Sequence, residues 1–354
     1  MVIHCKSKFL EYDFDYKKYF DWFPYELSDF QKWSLFAIIN GHHSLVTAHT
    51  GSGKTLPAEF AIQYFKEKGK KVIYTGPIKA LCNQKLYDFK QKFPNISFGI
   101  LTGDIKDNPE ADVLIMTTEI LRNTLFNKKV NNNESVKPIE LQFDIDIETE
   151  LGAVVFDEVH YIGDADRGSV WEQSILLLPP QVQLIMLSAT IEKPEIFAEW
   201  LENEKNKGVE KEKFLYMTTT HERVVPLTHY MWNTCPPSVI QSVKNTPMEF
   251  KFKEVMNKPI VISSSGGSFN DSNYYKTNTI LEYLFKNKIN IKRQFVLNEL
   301  ISYLNRNEML PAICFVFSRK NVEIMAKEVT VSLFDKDDKT PNIIEHECEK
   351  ILIK

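Results

Sequence analysis

The stretch Ala48–Thr55, which reads AHTGSGKT, holds the residue types best suited to chemistry. Its two glycines let backbone N–H groups curl around phosphate oxygens without a Cβ in the way. Lys54 can reach the β- and γ-phosphates of a nucleotide, and the Thr55 hydroxyl can bind Mg²⁺. Ala48 replaces the first glycine of the general pattern, and a plain glycine turn is the alternative interpretation. The residues predicted to bind nucleotide are Ala48, His49, Thr50, Gly51, Ser52, Gly53, Lys54 and Thr55.

Two carboxylates follow the apolar run Ala153–Phe156, where the sequence continues as DEVH. Asp157 would hold Mg²⁺, directly or through water, and Glu158 would orient and deprotonate an attacking water. An acidic turn after a strand is common, so DEVH alone is a weak signal. Together with AHTGSGKT, in this order and after apolar strands, it predicts catalytic roles for Lys54, Asp157 and Glu158 in nucleotide hydrolysis.

These groups need a sheet to bring them together, and the sequence alternates apolar strands with helical patterns. The predicted strands are Leu45–Thr47, Val72–Thr75, Phe98–Leu101, Val113–Met116, Ala153–Phe156 and Leu184–Leu187. The predicted helices include Leu81–Phe93, Glu119–Phe126 and Pro194–Leu201. Such alternation predicts an α/β fold, with a doubly wound, mostly parallel sheet that binds its ligand at the carboxyl ends of the strands.

Composition narrows the class of protein further. The chain has 354 residues, enough for two domains, and its net charge of −4 argues against a strongly basic nucleic-acid coat. Its 5 cysteines lack the paired spacing of a zinc site or a disulfide framework. No signal peptide or membrane span is evident, so we expect a soluble intracellular protein, of cytoplasm or nucleus, without a membrane partner. The Asn- and Lys-rich composition suggests an AT-rich genome, for example a viral one.

The pattern predicts five regions along the chain. They are an N-terminal extension (1–22), a nucleotide-binding domain (23–222), a surface insertion within it (128–148), a linker (223–296) and an incomplete second α/β domain (297–354). A strand pair is predicted at Phe214–Thr218 and Val224–Trp232, and residues 233–296 look less regular. The last region is predicted to contain a helix at Val296–Leu304, a strand at Ala312–Phe317 and a helix at Val322–Leu333. The aromatic-rich start could pack on the first domain, which we favour, or stack bases.

A family resemblance unites these motifs. AHTGSGKT, DEVH and LSAT at 187–190 resemble motifs I, II and III of a superfamily-two helicase. Finer details resemble the superkiller-type (Ski-like) DEVH-box RNA helicases over roughly residues 23–330. Those details are FPYELSDFQ at 23–31, PIKALCNQK at 77–85, LTGD at 101–104, MTTEILRN at 116–123, YIGDADRGSVWEQ after DEVH, VPLTHYMW at 225–232 and PAICFVFSRKNVE at 311–323.

The resemblance implies an ATP-dependent RNA helicase with a RecA-like P-loop NTPase domain, a linker and the start of a second RecA-like domain. Such a protein would bind ATP, Mg²⁺ and RNA, as a single-stranded 3′ overhang or a duplex. It places Gln31 beside the adenine. Hydroxyls and free N–H groups at helix N-termini would grip RNA phosphates. The residues implied for RNA are Pro77, Lys79, Thr102, Gly103, Thr117, Thr118 and Arg122. His160 would couple nucleotide state to motif III through Ser188 and Thr190. A plain turn at 102–104, a solvated Arg122 and a packing role for His160 stay open as alternatives.

Two departures from the family pattern bear on function. The loop reads GSGKT where the superkiller group usually carries SAGKT, which weakens only the subfamily assignment. The sequence also stops after motif IV, without motifs V and VI, whose arginine stabilises the transferring phosphoryl group. We therefore expect either that a second polypeptide supplies the remainder or that the gene is a split or truncated helicase. A nucleotide-binding scaffold or subunit without turnover of its own, and a DNA helicase, are therefore the alternatives to an RNA helicase.

Overall fold

A computed structural model of the chain describes residues 2–9, 14–131, 143, 145–189, 191–220, 223, 225–334 and 337–352. They fold as two compact units, residues 1–225 and residues 226–354. Within the described residues, no helix combines the length and the apolar character needed to cross a bilayer.

A single sheet organises the first unit. Its strands are β1 (Ile3–Cys5), β2 (His43–Ala48), β3 (Lys71–Gly76), β4 (Phe98–Leu101), β5 (Lys106–Asp107), β6 (Val113–Thr117), β7 (Leu151–Phe156), β8 (Gln183–Ser188) and β9 (Leu215–Thr220). They lie in the order β1-β9-β2-β8-β7-β3-β6-β4-β5, and every neighbouring pair is parallel except β4–β5. The predicted doubly wound, mostly parallel sheet is confirmed.

Helices cover both faces of this sheet. They are α1 (Phe14–Phe20), α2 (Asp29–Ile39), α3 (Leu56–Glu67), α4 (Lys79–Lys92), α5 (Thr118–Asn131), α6 (Gly168–Leu177) and α7 (Pro194–Lys205). Strand side chains alternate between two apolar cores, so that Val155 joins the core under α2, α3 and α4 while Val154 joins the core under α5, α6 and α7. Such two-sided burial explains why these strands read as continuous apolar runs rather than alternating ones.

Parallel pairing brings the ends of β2, β3, β4, β6, β7 and β8 to the same edge of the sheet, which we call the carboxyl edge. The motifs at 48–55, 77–85, 101–104, 116–123, 157–160 and 187–190 begin in the last two residues of these strands or directly after them. The topology therefore gathers segments that are more than a hundred residues apart in the chain.

The N-terminal residues are part of the first unit. β1 pairs with β9, and Tyr19, Phe20 and Trp22 pack against the core under α2 and α3. Phe9 contacts Trp33 edge-to-face at a centroid distance of 4.8 Å. These contacts favour the packing interpretation of the aromatic start over base stacking. The predicted insertion at 128–148 lies largely outside the described residues, although α5 extends into it as far as Asn131.

The second unit combines an antiparallel pair of strands with several helices. Its strands β10 (His229–Trp232) and β11 (Pro259–Ser263) form an antiparallel pair. Its helices are α8 (Pro237–Ser242), α9 (Pro247–Val255), α10 (Asp271–Lys286), α11 (Arg293–Arg306), α12 (Arg319–Glu328) and α13 (Thr340–Leu352). Residues 233–296 are thus more regular than the sequence suggests, and they hold a small core that includes Val243, Phe252 and Ile280. The role of this segment as a linker stays a prediction.

Two strand predictions are wrong. Phe214–Thr218 does not pair with Val224–Trp232, because β9 is already flanked on both sides by β1 and β2 and β10 pairs with β11. Ala312–Phe317 forms no strand, and Ile313 and Phe315 are each 81% exposed. A strand needs a hydrogen-bonded neighbour, and no described strand pairs with this segment.

Candidate functional site

The glycine-bearing loop lies between the end of β2 and the start of α3, as predicted. Gly51 and Gly53 have φ angles of +86° and +85°, a region that L side chains rarely adopt. A Cβ on Gly53 would also come within 2.6 Å of the Gln31 amide nitrogen, Nε2. Ser52 N and Oγ both donate to His49 O, at 3.2 and 2.6 Å, which fixes the curl of the loop.

Gln31 contacts this loop directly. It is 7% exposed, its Nε2 donates to Gly53 O at 3.2 Å, and its Oε1 accepts from Ser28 N at 2.9 Å. The second bond belongs to a capping box at the start of α2, so helix capping holds the amide against the loop. The structure therefore places Gln31 beside the glycine-bearing loop, and its contact with adenine stays a prediction.

Lys54 and Glu158 form the central ion pair of the site. Lys54 Nζ donates to Glu158 Oε1 at 2.7 Å, and the two side chains are only 10% and 24% exposed. Because both groups are largely shielded from water, their attraction is stronger than that of a surface pair. The cation predicted to hold phosphates thus lies against the carboxylate predicted to activate water.

Asp157 is the more buried of the two carboxylates. It is 6% exposed, and the Tyr74 hydroxyl on β3 donates to its Oδ2 at 2.5 Å. Burial raises the pKa of Asp157, an effect that the hydrogen bond from Tyr74 opposes and the nearby charge of Glu158 reinforces. Sequence reasoning missed Tyr74; the only sign of it is a hydroxyl-bearing residue within the apolar strand VIYTG.

The donors available for a metal ion are the Asp157 carboxylate and the Thr55 hydroxyl at the start of α3. Among the described residues, no group of three or more His, Cys, Asp and Glu side chains could hold a metal by itself. That donor set fits Mg²⁺, which takes oxygen ligands and is usually held by one or two protein groups together with phosphates and water.

His160 connects the ends of two neighbouring strands. Its Nδ1 lies 3.3 Å from Glu158 Oε2 and 3.3 Å from Ser188 Oγ at the end of β8. Glu158 itself has a φ of +53°, an uncommon conformation for a non-glycine residue and one that is often found at functional sites. Two of the three predicted coupling residues are therefore together, and Thr190 lies outside the described residues.

The residues implied for RNA lie along the same edge, with one cluster in direct contact. Lys79 Nζ and Thr102 Oγ1 both donate to Asp104 Oδ1, at 2.8 and 2.9 Å. A Cβ on Gly103 would be 3.7 Å from Lys79 Nζ, so Gly103 belongs to the same cluster. Hydrogen bonding to Lys79 and Thr102 lowers the pKa of Asp104. Pro77 lies two residues before α4, next to this cluster in sequence.

Two further implied RNA residues have buried side chains, as Thr102 does. Thr117 ends β6 and is 7% exposed, and Thr118 is fully buried with its hydroxyl directed at Gly76 O, 3.5 Å away. Arg122 lines a separate cavity of about 480 Å³ between α5 and α6, together with Phe126 and Gln173.

Arg167 is a second residue that sequence reasoning missed, although the resemblance includes its segment. Its Nη2 donates to Pro77 O at 2.6 Å and to the Glu119 carboxylate. The arginine thus links the segment after DEVH to the starts of α4 and α5.

Comparison with known proteins identifies the class. Residues 28–197 match the model of the DEAD/DEAH box helicase family. The antiviral helicase SKI2 of Saccharomyces cerevisiae is 34% identical over 336 residues, which cover 85% of this chain and 24% of that protein. Superkiller complex protein 2 of Mus musculus is 33% identical over 324 residues, covering 88% of this chain and 23% of that protein. The crystal structure of the DUF1998 helicase MrfA matches 90% of this chain and 41% of its own with a TM-score of 0.52; at 16% identity it shows the fold alone.

Residues 28–197 of the chain are a DEAD/DEAH box helicase domain, and the roles assigned to individual motif residues stay predictions. Within that family it is similar to the superkiller-type proteins, as the sequence details predict. It spans about a quarter of the length of these two curated relatives.

Proposed function

We propose that this chain carries the ATP-binding core of an ATP-dependent RNA helicase that uses ATP hydrolysis to translocate along or unwind RNA. The observation that supports this most is the contact of Lys54 with Glu158. It lies beside a loop whose two glycines have positive φ angles and beside the buried Asp157. The groups that we propose as phosphate cradle, metal-binding carboxylate and water-activating carboxylate lie together at one edge of the sheet.

Each group has a defined task in the hydrolysis that we propose. The loop N–H groups and Lys54 hold the β- and γ-phosphates, and Glu158 accepts a proton from the water that attacks the γ-phosphorus. Thr55 and Asp157 would hold Mg²⁺, which neutralises charge on the phosphate oxygens. Tyr74 keeps the Asp157 carboxylate oriented. When phosphate oxygens engage Lys54, the ion pair opens and Glu158 becomes available as a base.

RNA is the proposed polymer because the relatives named above are superkiller proteins and the PIKALCNQK segment resembles theirs. Lys79, Thr102 and the N-terminal turns of α4 and α5 would contact phosphates, which carry no sequence information. This suits a motor that moves along any sequence.

Steady-state ATP hydrolysis by the purified chain tests the proposal, measured without nucleic acid, with single-stranded RNA and with DNA of the same sequence. Turnover that rises with RNA and less with DNA is the expected result. Stimulation by DNA alone would replace RNA with DNA as the substrate. Failure to bind ATP at all would contradict the proposed function.

A second candidate is a nucleotide-binding subunit that a second polypeptide completes. The exposed alternating apolar side chains of Ile313, Phe315 and Phe317 favour it, because they have the pattern of a strand without a partner. ATP binding with negligible, RNA-insensitive hydrolysis by this chain would support this candidate over an independent motor.

A further inference from the structure

Arg167 bridges three segments that the sequence separates widely. Its Nη2 donates to the backbone carbonyl of Pro77, at 2.6 Å, and also to the carboxylate of Glu119. Pro77 leads into α4, and Glu119 is the second residue of α5. Both helices begin at the carboxyl edge, where the proposed RNA contacts lie.

The base of this bridge is rigid. Arg167 N donates to Asp164 Oδ1 at 2.9 Å, and the guanidinium carbon lies 5.9 and 5.7 Å from the ring centroids of Tyr161 and Trp171. Those two rings stack on each other at 5.6 Å, and Trp171 is fully buried. A guanidinium over two aromatic faces is held by cation–π attraction as well as by its hydrogen bonds. Arg167 is therefore fixed to the same segment that carries His160.

Electrostatics give the bridge a second effect. Glu119 places a negative charge at the start of α5, where a phosphate would otherwise meet the positive end of the helix dipole. The side chains of Arg167 and Glu119 are 36% and 33% exposed, so their pairing is only partly screened by water. Without the arginine, the Glu119 carboxylate would repel an approaching phosphate.

We infer that Arg167 is a positioning residue for RNA. It holds the first turns of α4 and α5 and neutralises the charge of Glu119. Because it is attached to the segment that follows DEVH, the RNA affinity depends on the conformation of that segment. This inference rests on the proposed function. It assigns Arg167 no contact with ATP or with the reacting atoms.

The test compares wild type with Arg167→Ala by fluorescence polarisation of labelled single-stranded RNA, with a non-hydrolysable ATP analogue and with ADP. We expect RNA affinity in the analogue-bound state to fall about tenfold, the equivalent of one charge-assisted hydrogen bond. The ratio of the two RNA affinities should approach one, while analogue binding measured separately should change less than about twofold. A merely structural role would not alter that ratio selectively.

Two further variants sharpen the result. Arg293→Ala, which breaks an Arg–Glu pair with Glu328 in the second unit, is the matched control and should leave both RNA affinities unchanged. Adding Glu119→Gln to Arg167→Ala should recover part of the lost affinity, because it removes the uncompensated charge. Unchanged RNA affinity and an unchanged ratio in Arg167→Ala would overturn the inference.

Hydrogen–deuterium exchange keeps this inference separable from the proposed function. Amides of residues 78–82 and 118–122 should exchange faster in Arg167→Ala than in wild type, with or without RNA. If wild type shows no nucleotide-dependent RNA binding, the proposed function fails, and the exchange rates alone still decide whether Arg167 holds these turns. Unchanged exchange there would also overturn the positioning role.

Discussion

Lys54 carries two tasks with one ammonium group. It pairs with Glu158 at 2.7 Å, and it is also proposed to bind the phosphate oxygens of a nucleotide. The two partners compete for the same donor, so the availability of the base depends on occupancy of the loop. The pairing with Lys54 compensates most of the free energy that is needed to bury the Glu158 carboxylate. The same carboxylate buried without a cation would strongly destabilise the fold.

Glu158→Gln tests the base and the competition together. We expect hydrolysis to fall by about 10²–10⁴-fold, the usual contribution of a general base. ATP affinity should stay equal or increase, because the neutral amide no longer competes for Lys54. Measurements of kcat and of equilibrium binding of a fluorescent ATP analogue provide the two values.

Glu59→Gln is the control for that variant. It alters another lysine–glutamate pair, in which Lys92 of α4 donates to the Glu59 carboxylate in the first turn of α3 at 2.6 Å. Both values should match wild type. Undiminished turnover in Glu158→Gln would remove this residue from the role of base.

Asp157 and Tyr74 form the other residue-scale pair. Burial lifts the pKa of the carboxyl group above its ordinary value, and the Tyr74 hydrogen bond pulls it back. A carboxyl group with a raised pKa loses its charge at a higher pH as the solution is acidified. Mg²⁺ binding requires the charged form, so Mg²⁺-dependent nucleotide binding should weaken on acidification earlier than an ordinary aspartate would allow.

Tyr74→Phe should move this loss of binding to still higher pH, because the opposing hydrogen bond is gone. The folded state should also lose about 1.5–3 kcal/mol at neutral pH, the range for a hydrogen bond to a charged group. A pH series of nucleotide binding with Mg²⁺ and a denaturant titration measure the two effects. Tyr64→Phe, which removes a buried hydroxyl that donates to Ile39 O at 3.1 Å, should leave the pH profile unchanged.

At the scale of elements, the loop between β2 and α3 depends on α2 as well as on its own glycines. Gly51 and Gly53 share a left-handed backbone, yet only Gly53 has a neighbour, the Gln31 amide, where a Cβ would lie. The capping box of α2 holds that amide in place. The start of α2 therefore restricts position 53, just before α3, to glycine.

Gly53→Ala should weaken nucleotide binding more than Gly51→Ala. In both variants an alanine in the left-handed region costs about 1–2 kcal/mol, which corresponds to roughly a tenfold loss in nucleotide affinity. Only Gly53→Ala also displaces the Gln31 side chain. Titration of the two variants with a fluorescent ATP analogue measures the difference. Equal losses would show that the contact with Gln31 does not shape the loop.

The same elements show how far sequence patterns extend. The strands of the first unit that pattern predicts end within one or two residues of their observed limits, since strands buried on both faces are continuous apolar runs. Tyr74 and Arg167 escaped prediction because their partners depend on which strands are neighbours, a property that no local window contains. The strand predicted at Ala312–Phe317 is wrong for the converse reason. Its apolar and polar residues alternate as in a strand, but a strand also needs a second strand to pair with.

At the scale of the whole molecule, the first unit contains all the described residues of the nucleotide site and both of its large cores. The chain divides after residue 225, and the predicted domain bounds and the roles of the later regions stay predictions. The superkiller-type assignment, by contrast, was possible from sequence because the motifs are short, ordered and local.

Residues 1–225 should therefore fold and bind ATP on their own. We expect one cooperative thermal transition and an affinity for a fluorescent ATP analogue within about threefold of the full chain, a difference below 1 kcal/mol. Residues 226–354 alone, with their small core and exposed apolar side chains, should show a weaker transition. A first unit that aggregates or fails to bind nucleotide would contradict this division of the molecule.

The short strand β1 has a practical consequence. It lies on the outer side of β9, whose other side is occupied by β2. An uncovered six-residue parallel strand would present a row of free backbone groups to other molecules, whereas three residues at the margin present few. The family resemblance begins near residue 23, and cutting the chain there would expose that row. Intermolecular sheet formation, rather than loss of catalytic groups, would then determine whether the protein stays in solution.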